Sequence, residues 1–322
     1  MSTFPRWRRT ALLAMALAGG VLTAALAQGQ GKPAPETSPQ ATFATPDDAV
    51  AALIEAVKQN DVARLRAVFG PASKDLVESG DRVADTEGRA RFASSYAEQH
   101  ALEAVGPDRM VLHVGPHAWP LPIPLMKTGE RWHFDAAAGA QEIVNRRIGH
   151  NELAAISSML AYVEAQKAYF GMTGKTGHAA YAQRLISGKG RHDGLYWPAA
   201  AGHEQSPLAG FVAKATAEGY PIDIVSAGPE LYHGYLYRIL KAQGPNAPGG
   251  AKSYVEGRRM TGGFALVGWP ASYGASGVMT FIVGQDGVVF QRNLGPNTAK
   301  IVAAMQRYDP DLRWARVDVV GQ

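Results

Sequence analysis

Between residues 43 and 100 the apolar positions fall at helical spacing. Val50, Leu53, Ile54 and Val57 form one face, the stripe that buries an amphipathic helix. Thr45-Pro46-Asp47-Asp48 stand in front of it, supplying a capping hydroxyl, a proline suited to the first helical position and carboxylates at the positive end of the dipole. A second helix is predicted from Asp61, with Val62, Leu65, Val68 and Phe69 inward and Gly70 ending it, and a third over Arg89–Gln99. The period then shortens to that of strands at Arg109–Val114 and Arg131–Asp135, around the proline-rich Trp119–Pro124.

The second half repeats this change of period. Residues Ala140–Phe170 carry Ile143, Val144, Ile148, Ile156, Met159, Leu160 and Val163 near helical spacing, which predicts one long helix or two joined near Gly149. Residues 171–228 are rich in glycine, proline and aromatics and read as loops. Strand-like runs follow at Tyr232–Leu240, Lys252–Val255, Phe264–Trp269, Val278–Val283 and Val288–Gln291, with Asp286-Gly287 in the last turn. Asp-Gly between β-branched runs is a hairpin signal, because both residues tolerate positive φ. Asn297–Tyr308 closes the chain as a short helix. Helices and antiparallel strands kept apart along the chain predict an α+β fold. The predicted organisation is a leader over residues 1–27, a flexible linker over 28–42, an α+β domain over 43–139, and a long helix on an antiparallel meander over 140–322.

The leader changes what composition means. Arg6, Arg8 and Arg9 precede an uncharged apolar run and the triplet Ala25-Leu26-Ala27, the parts of a secretory signal peptide cleaved after Ala27. Trp7 and Thr10 fit twin-arginine export poorly. Export by the general secretory route makes the mature chain periplasmic or secreted. Cleavage removes three positive charges and no negative ones, so the net charge falls from +4 to +1, and without a Lys/Arg cluster interleaved with aromatics a nucleic-acid partner is unsupported. No second long apolar run follows, so no membrane span is expected. The absence of cysteine excludes disulfides, thiolate chemistry and a lipid anchor on cysteine.

Several segments resemble known families. The pattern Gly129-Glu-Arg-Trp-His-Phe-Asp135 after the helices resembles the nuclear-transport-factor-two-like superfamily, which implies a small α+β cone. Asn151-Glu-Leu-Ala-Ala-Ile156 with Ala165-Gln166 is similar to the soluble part of a type IV pilin or pseudopilin helix, although a whole domain precedes it here and the pilin membrane segment is missing. Arg147-Ile-Gly-His-Asn-Glu152, Ala165-Gln-Lys-Ala-Tyr169, His192-Asp-Gly-Leu-Tyr-Trp-Pro198, Tyr232-His-Gly-Tyr235, and Gly262 through Pro296 resemble, in order, the bacterial exported proteins of domain-of-unknown-function family 2950. That resemblance implies no activity.

Candidate chemistry is sparse. There is no H-E-x-x-H pair and no G-x-S-x-G elbow, so neither a metal nor a cofactor is expected. His150 reads as a polar helix residue. His192 beside Asp193 has the makings of an acid/base pair, but Gly190 and Gly194 favour a turn in which Asp193 caps amides. Ser276 reads as a loop residue chosen for size, and Gly244–Ser253 as a surface loop, because its prolines remove amides a phosphate cradle needs. Tyr196, Trp197, Tyr232, Tyr235, Tyr237, Trp269 and Tyr273 are the remaining candidates, with His233, for lining a groove; the competing reading is ordinary core. The function these features support is a non-catalytic binding or assembly module of the cell envelope, meeting an envelope protein or cell-wall ligand. The alternative is an enzyme acting on an envelope glycan or peptide through His192, Asp193 and His233.

Overall fold

The computed structural model describes residues 39–199, 204–221 and 230–318; the predicted leader with Ala25 and Ala27, and most of the predicted linker, lie outside them. Helix α1 (Pro46–Lys58) starts at Thr45, whose hydroxyl accepts the Asp48 N–H at 3.1 Å while the Asp48 carboxylate accepts the Thr45 N–H at 3.2 Å. This reciprocal box satisfies two amide donors at the helix start. Helix α2 (Val62–Phe69) is capped by Asp61 and stops at Gly70, φ 90°. A short α3 (Lys74–Val77) leads to α4 (Arg82–Glu98). Helix α4 begins at Arg82 rather than Arg89, because Asp81 caps it and not because of any apolar stripe: none of its residues is fully buried.

Strands β1 (His100–Gly106), β2 (Arg109–Val114), β3 (Trp119–Pro120), β4 (Leu125–Thr128) and β5 (Arg131–Phe134) form an antiparallel sheet in the order β1-β2-β4-β5, with β3 on β2. β1 was not in the predicted set, since it is exposed at nearly every position and shows no alternation; β4 hides behind the prolines that precede it. The start of the described chain is tied to this sheet. Phe43 exchanges both backbone hydrogen bonds with Trp132, and the Gln40 amide donates to Val68 O and Phe134 O at 3.0 and 2.7 Å.

Helix α5 (Ala136–Lys175) has 40 residues, about 60 Å at 1.5 Å per residue, and continues through Gly149. After α6 (Ala209–Ala217) come β6 (Glu230–Tyr232), β7 (Tyr235–Leu240), and two small ribbons, β8 (Ala242–Gln243) with β9 (Lys252–Ser253) and β10 (Val255–Glu256) with β11 (Arg259–Met260). The meander proper is β12 (Ala265–Pro270), β13 (Met279–Gly284) and β14 (Val289–Asn293), followed by α7 (Thr298–Ala304) and β15 (Ala315–Arg316). The larger sheet runs β15-β14-β13-β12-β7-β6 and is antiparallel throughout. At the predicted turn Gly287 has φ 74° and Asp286 accepts the Val288 N–H at 3.2 Å. The fold is α+β.

Within the compact unit Ser38–Gln322 the buried apolar side chains gather in two clusters. One lies between α1, α2 and the first sheet around Leu53, Leu112, Ile123 and Phe134. The other lies between α5 and the second sheet around Met159, Tyr162, Phe264 and Phe281. Ala140 and Ile143 pack on the first cluster and Ala155 to Tyr169 belong to the second, so α5 serves both. β12 is buried at all six positions, and Gly268 within it lets α5 approach: a Cβ there would sit 2.5 Å from Met159 Cε. Among the described residues no helix is long and apolar enough to cross a membrane.

Candidate functional site

One face of α5 is left without a sheet partner. Ile143, Arg146/Arg147, His150/Asn151, Ala154, Ser157/Ser158 and Ala161 line a cleft of about 1170 Å³. Their spacing is the three-or-four-residue step that puts side chains on one helix face, and it spans about 27 Å at the helical rise. The opposing wall comes from Leu53, Val57, Leu65, Phe69 and Phe92 of α1, α2 and α4, and the far rim from Phe211, Lys214, Glu218, Tyr232 and His233. The cleft therefore has an apolar wall and a band of titratable groups.

That band is built on a two-residue turn. Tyr232 pairs with Tyr235 across β6 and β7, leaving His233 and Gly234 at φ 46° and 72°. Positive φ at both residues is the type I′ hairpin turn, in which Asn, Asp or Gly is usual at the first place. Histidine there is strained. Gly234 has no substitute, since a Cβ would sit 2.5 Å from Asn151 Nδ2 and 2.9 Å from Ser276 Cβ. The His233 N–H donates to Tyr220 Oη at 3.1 Å, and its ring Nε2 stands 3.2 Å from Glu218 Oε2. The His150 ring meets the His233 ring edge-on at 5.6 Å. Burial, the largest cause, lowers the His233 pKa from its ordinary value; Glu218 opposes this, and His150 adds to it. Burial, then the Glu218 carboxylate, push the Tyr232 phenol above its ordinary range.

Asp81 fastens this turn to α4. The carboxylate is wholly buried: Oδ1 accepts from Val83 N and Ala84 N at 3.1 Å each, and Oδ2 accepts from Tyr220 Oη and Gly234 N at 2.7 Å each. The segment Arg147–Glu152 does the same on α5. Arg147 donates to the carbonyls of Asp75, Leu76 and Ala275; Asn151 donates to Ser276 O at 2.9 Å; Glu152 accepts from Val278 N and Met279 N at 3.0 Å each. His150 alone of these points to the rim histidine.

The sequence candidates separate. Tyr232 and His233 line the cleft, and the Trp269–Gly277 loop adjoins their turn through Ala271 N–H to Gly234 O at 2.9 Å. Tyr235 and Trp269 are buried, with Tyr235 Oη donating to Met279 O at 2.8 Å. Ser276 is wholly buried in a turn, its hydroxyl accepting from Ser272 N and donating to Ser272 O. Tyr273 Oη donates to Asn293 at 3.1 Å. The 190–198 loop stays outside the cleft: His192 stacks on the buried Trp197 at 4.4 Å, Asp193 accepts the Gly188 N–H at 2.9 Å, and Tyr196 lines a small adjoining apolar pocket of about 100 Å³ that shares Phe211 and Tyr232 with the cleft. His192 and Asp193 do not line the cleft. Asp81, Arg89, Glu218 and Tyr220 were missed, since none lies on α5; the one sequence signal of the cleft was the mixed basic, histidine and small-residue stripe of α5 beside its apolar face.

Ser157 and Ser158 line the cleft, but their hydroxyls donate to Leu153 O and Ala154 O at 3.0 and 2.8 Å. Neither is bonded to the His150 or His233 ring among the described residues. Nor, among these, is any group of three or more acidic or histidine side chains placed to hold a metal ion.

A family model described as a protein of unknown function (DUF2950) matches residues 40–317. The chain belongs to this family. No curated protein and no solved structure matches it. The DUF2950 match runs from the Gln40 anchor through both sheets, so the α5 cleft lies wholly inside the family's extent.

Proposed function

We propose that this is an exported envelope protein that binds a small ligand in the α5 cleft and does not transform it. The observation that carries this reading is the cleft itself, about 1170 Å³ in volume, with an apolar wall facing a polar band. Ligand sites have this composition, mostly apolar with a few converging polar groups. The leader-like N-terminus supports export, and hydroxyls committed to helix carbonyls support binding over nucleophilic chemistry. The test uses the mature protein and the neutral apolar dye N-phenyl-1-naphthylamine. Dye fluorescence should saturate at one dye per chain, and Ala154→Trp, which fills the cleft from a half-buried helix position, should abolish it while leaving the melting transition in place. Saturation unchanged by A154W would remove the cleft as the site.

A second reading rests on the His233–Glu218 pair, an imidazole standing 3.2 Å from a carboxylate, the pairing general bases use. Release of soluble fragments from purified cell-wall sacculi that is lost in His233→Gln would make the protein an envelope-polymer hydrolase instead.

A further inference from the structure

Charge in the cleft is unevenly compensated. Of the five basic side chains lining it, Arg91 is paired with Glu87, Arg146 with Glu142 at 2.7 Å while lying 4.9 Å over the Trp119 ring, and Lys214 stands 3.9 Å from Glu218. Arg89 and Arg147 differ. Arg89 donates to Val77 O and the Asn60 amide oxygen, and Arg147 to three backbone carbonyls. Among the described residues neither has a carboxylate within ion-pair distance. Two guanidinium groups, one on α4 and one on α5, are thus satisfied by neutral oxygens, with Asp85 the carboxylate that acts on both. Burial depresses the Arg147 pKa from its ordinary value; Asp85 and Asp75 counter this, and the neighbouring Arg89 adds to it. A desolvated cation whose nearest carboxylates stand beyond ion-pair distance is costly, and an acid supplied from outside relieves that cost through charge-assisted hydrogen bonds.

Apolar side chains adjoin these arginines. Leu53, Val57, Leu65, Phe69 and Phe92 face the same cleft, and Ile143 sits one helical turn before Arg147 on the same α5 stripe. We infer that the cleft takes a single-chain anionic amphiphile, its carboxylate or phosphate head between Arg89 and Arg147 and its alkyl chain along the α1–α2–α4 wall. This rests on the cleft being a binding site, as proposed above, and adds the chemical class of the occupant.

The experiment measures displacement of N-phenyl-1-naphthylamine by dodecanoate, dodecyl phosphate, 1-dodecanol and dodecyltrimethylammonium, all below their micelle concentrations. The two anions should displace the dye at concentrations at least about tenfold lower than dodecanol, with the cation weakest. The preference should shrink with added salt and fall several-fold in Arg89→Gln. Arg147→Lys, which keeps the charge but not the fork of donors, should fold and retain part of it. The better of the two anions then identifies the head group. Equal displacement by dodecanol and dodecanoate would overturn the head assignment and leave the cleft reading intact. Failure of the dye and of every amphiphile to bind, the last checked by calorimetry, would end both. Association with phosphatidylglycerol vesicles without displacement by monomeric anions would also overturn it, because the ligand would then be a membrane surface.

Discussion

Replacing Asp81 tests whether one carboxylate joins α4 to the far hairpin. Its four accepted hydrogen bonds come from two sources, the first turn of α4 and the pair Tyr220 Oη and Gly234 N. Loss of the cap is worth about 1 kcal/mol. Each bond to a charged buried acceptor is worth about 1.5–3 kcal/mol, and relief of the carboxylate's own desolvation returns part of the total. Asp81→Ala should therefore lower the unfolding free energy by about 3–5 kcal/mol. Tyr220→Phe removes one of the four bonds and also the acceptor of the His233 N–H, for about 1.5–2 kcal/mol. Because the two residues share a bond, the double variant should be less destabilised than the sum of the singles by about 1.5 kcal/mol. The assay is urea unfolding at constant m value, followed by tryptophan fluorescence and far-UV circular dichroism together. A D81A loss below about 1 kcal/mol, or a coupling below about 0.5 kcal/mol, would refute the clasp.

Two further outcomes follow from particular residues. Gly149 lies exposed on α5 with open space around its Cα, so Gly149→Ala should raise stability by about 0.5–1 kcal/mol. Gly139→Ala on the same helix places its Cβ 2.1 Å from Pro122 O and should cost more than about 2 kcal/mol, with thermal unfolding separating the two signs. His233 has a folded pKa below its ordinary 6.5. As pH falls through about 6.5 the unfolded chain takes up a proton that the folded ring resists, so stability is present above this pH and declines below it. His233→Gln should flatten that decline in urea midpoints measured between about pH 7.5 and 5.5; an unchanged slope would show that the ring does not contribute.

What the sequence made legible was whatever depends on neighbours along the chain. Thr45-Pro46-Asp47-Asp48 marked the start of α1, and apolar runs with Asp286-Gly287 marked the meander. Helix α4 and β1 were misjudged or missed for the same reason: neither buries any residue fully, so burial writes only a weak pattern into them. The site was less legible because topology assembles it. His150 is an unremarkable helix histidine until the β6–β7 turn brings His233 against it, and Asp81 looks like a simple helix cap until its other oxygen meets Tyr220 and Gly234. His192-Asp193 shows the reverse: adjacency in sequence suggested chemistry, while the fold gives one side chain to a stacking contact and the other to a turn amide.

The Asp81 clasp also bears on the order in which the molecule is made. Its far partners follow it by 139 and 153 residues, so α1 to α4 and the first sheet leave the ribosome long before the groups that complete their attachment. Until α5 arrives, the wall of Leu53, Val57 and Phe69 has no helix facing it. Contacts of such long separation are slow to form, and chains waiting for them expose apolar surface. A chain stopped before Gly234 leaves Asp81 without its Gly234 partner, and such a truncated chain should be cleaved by protease faster than the full one.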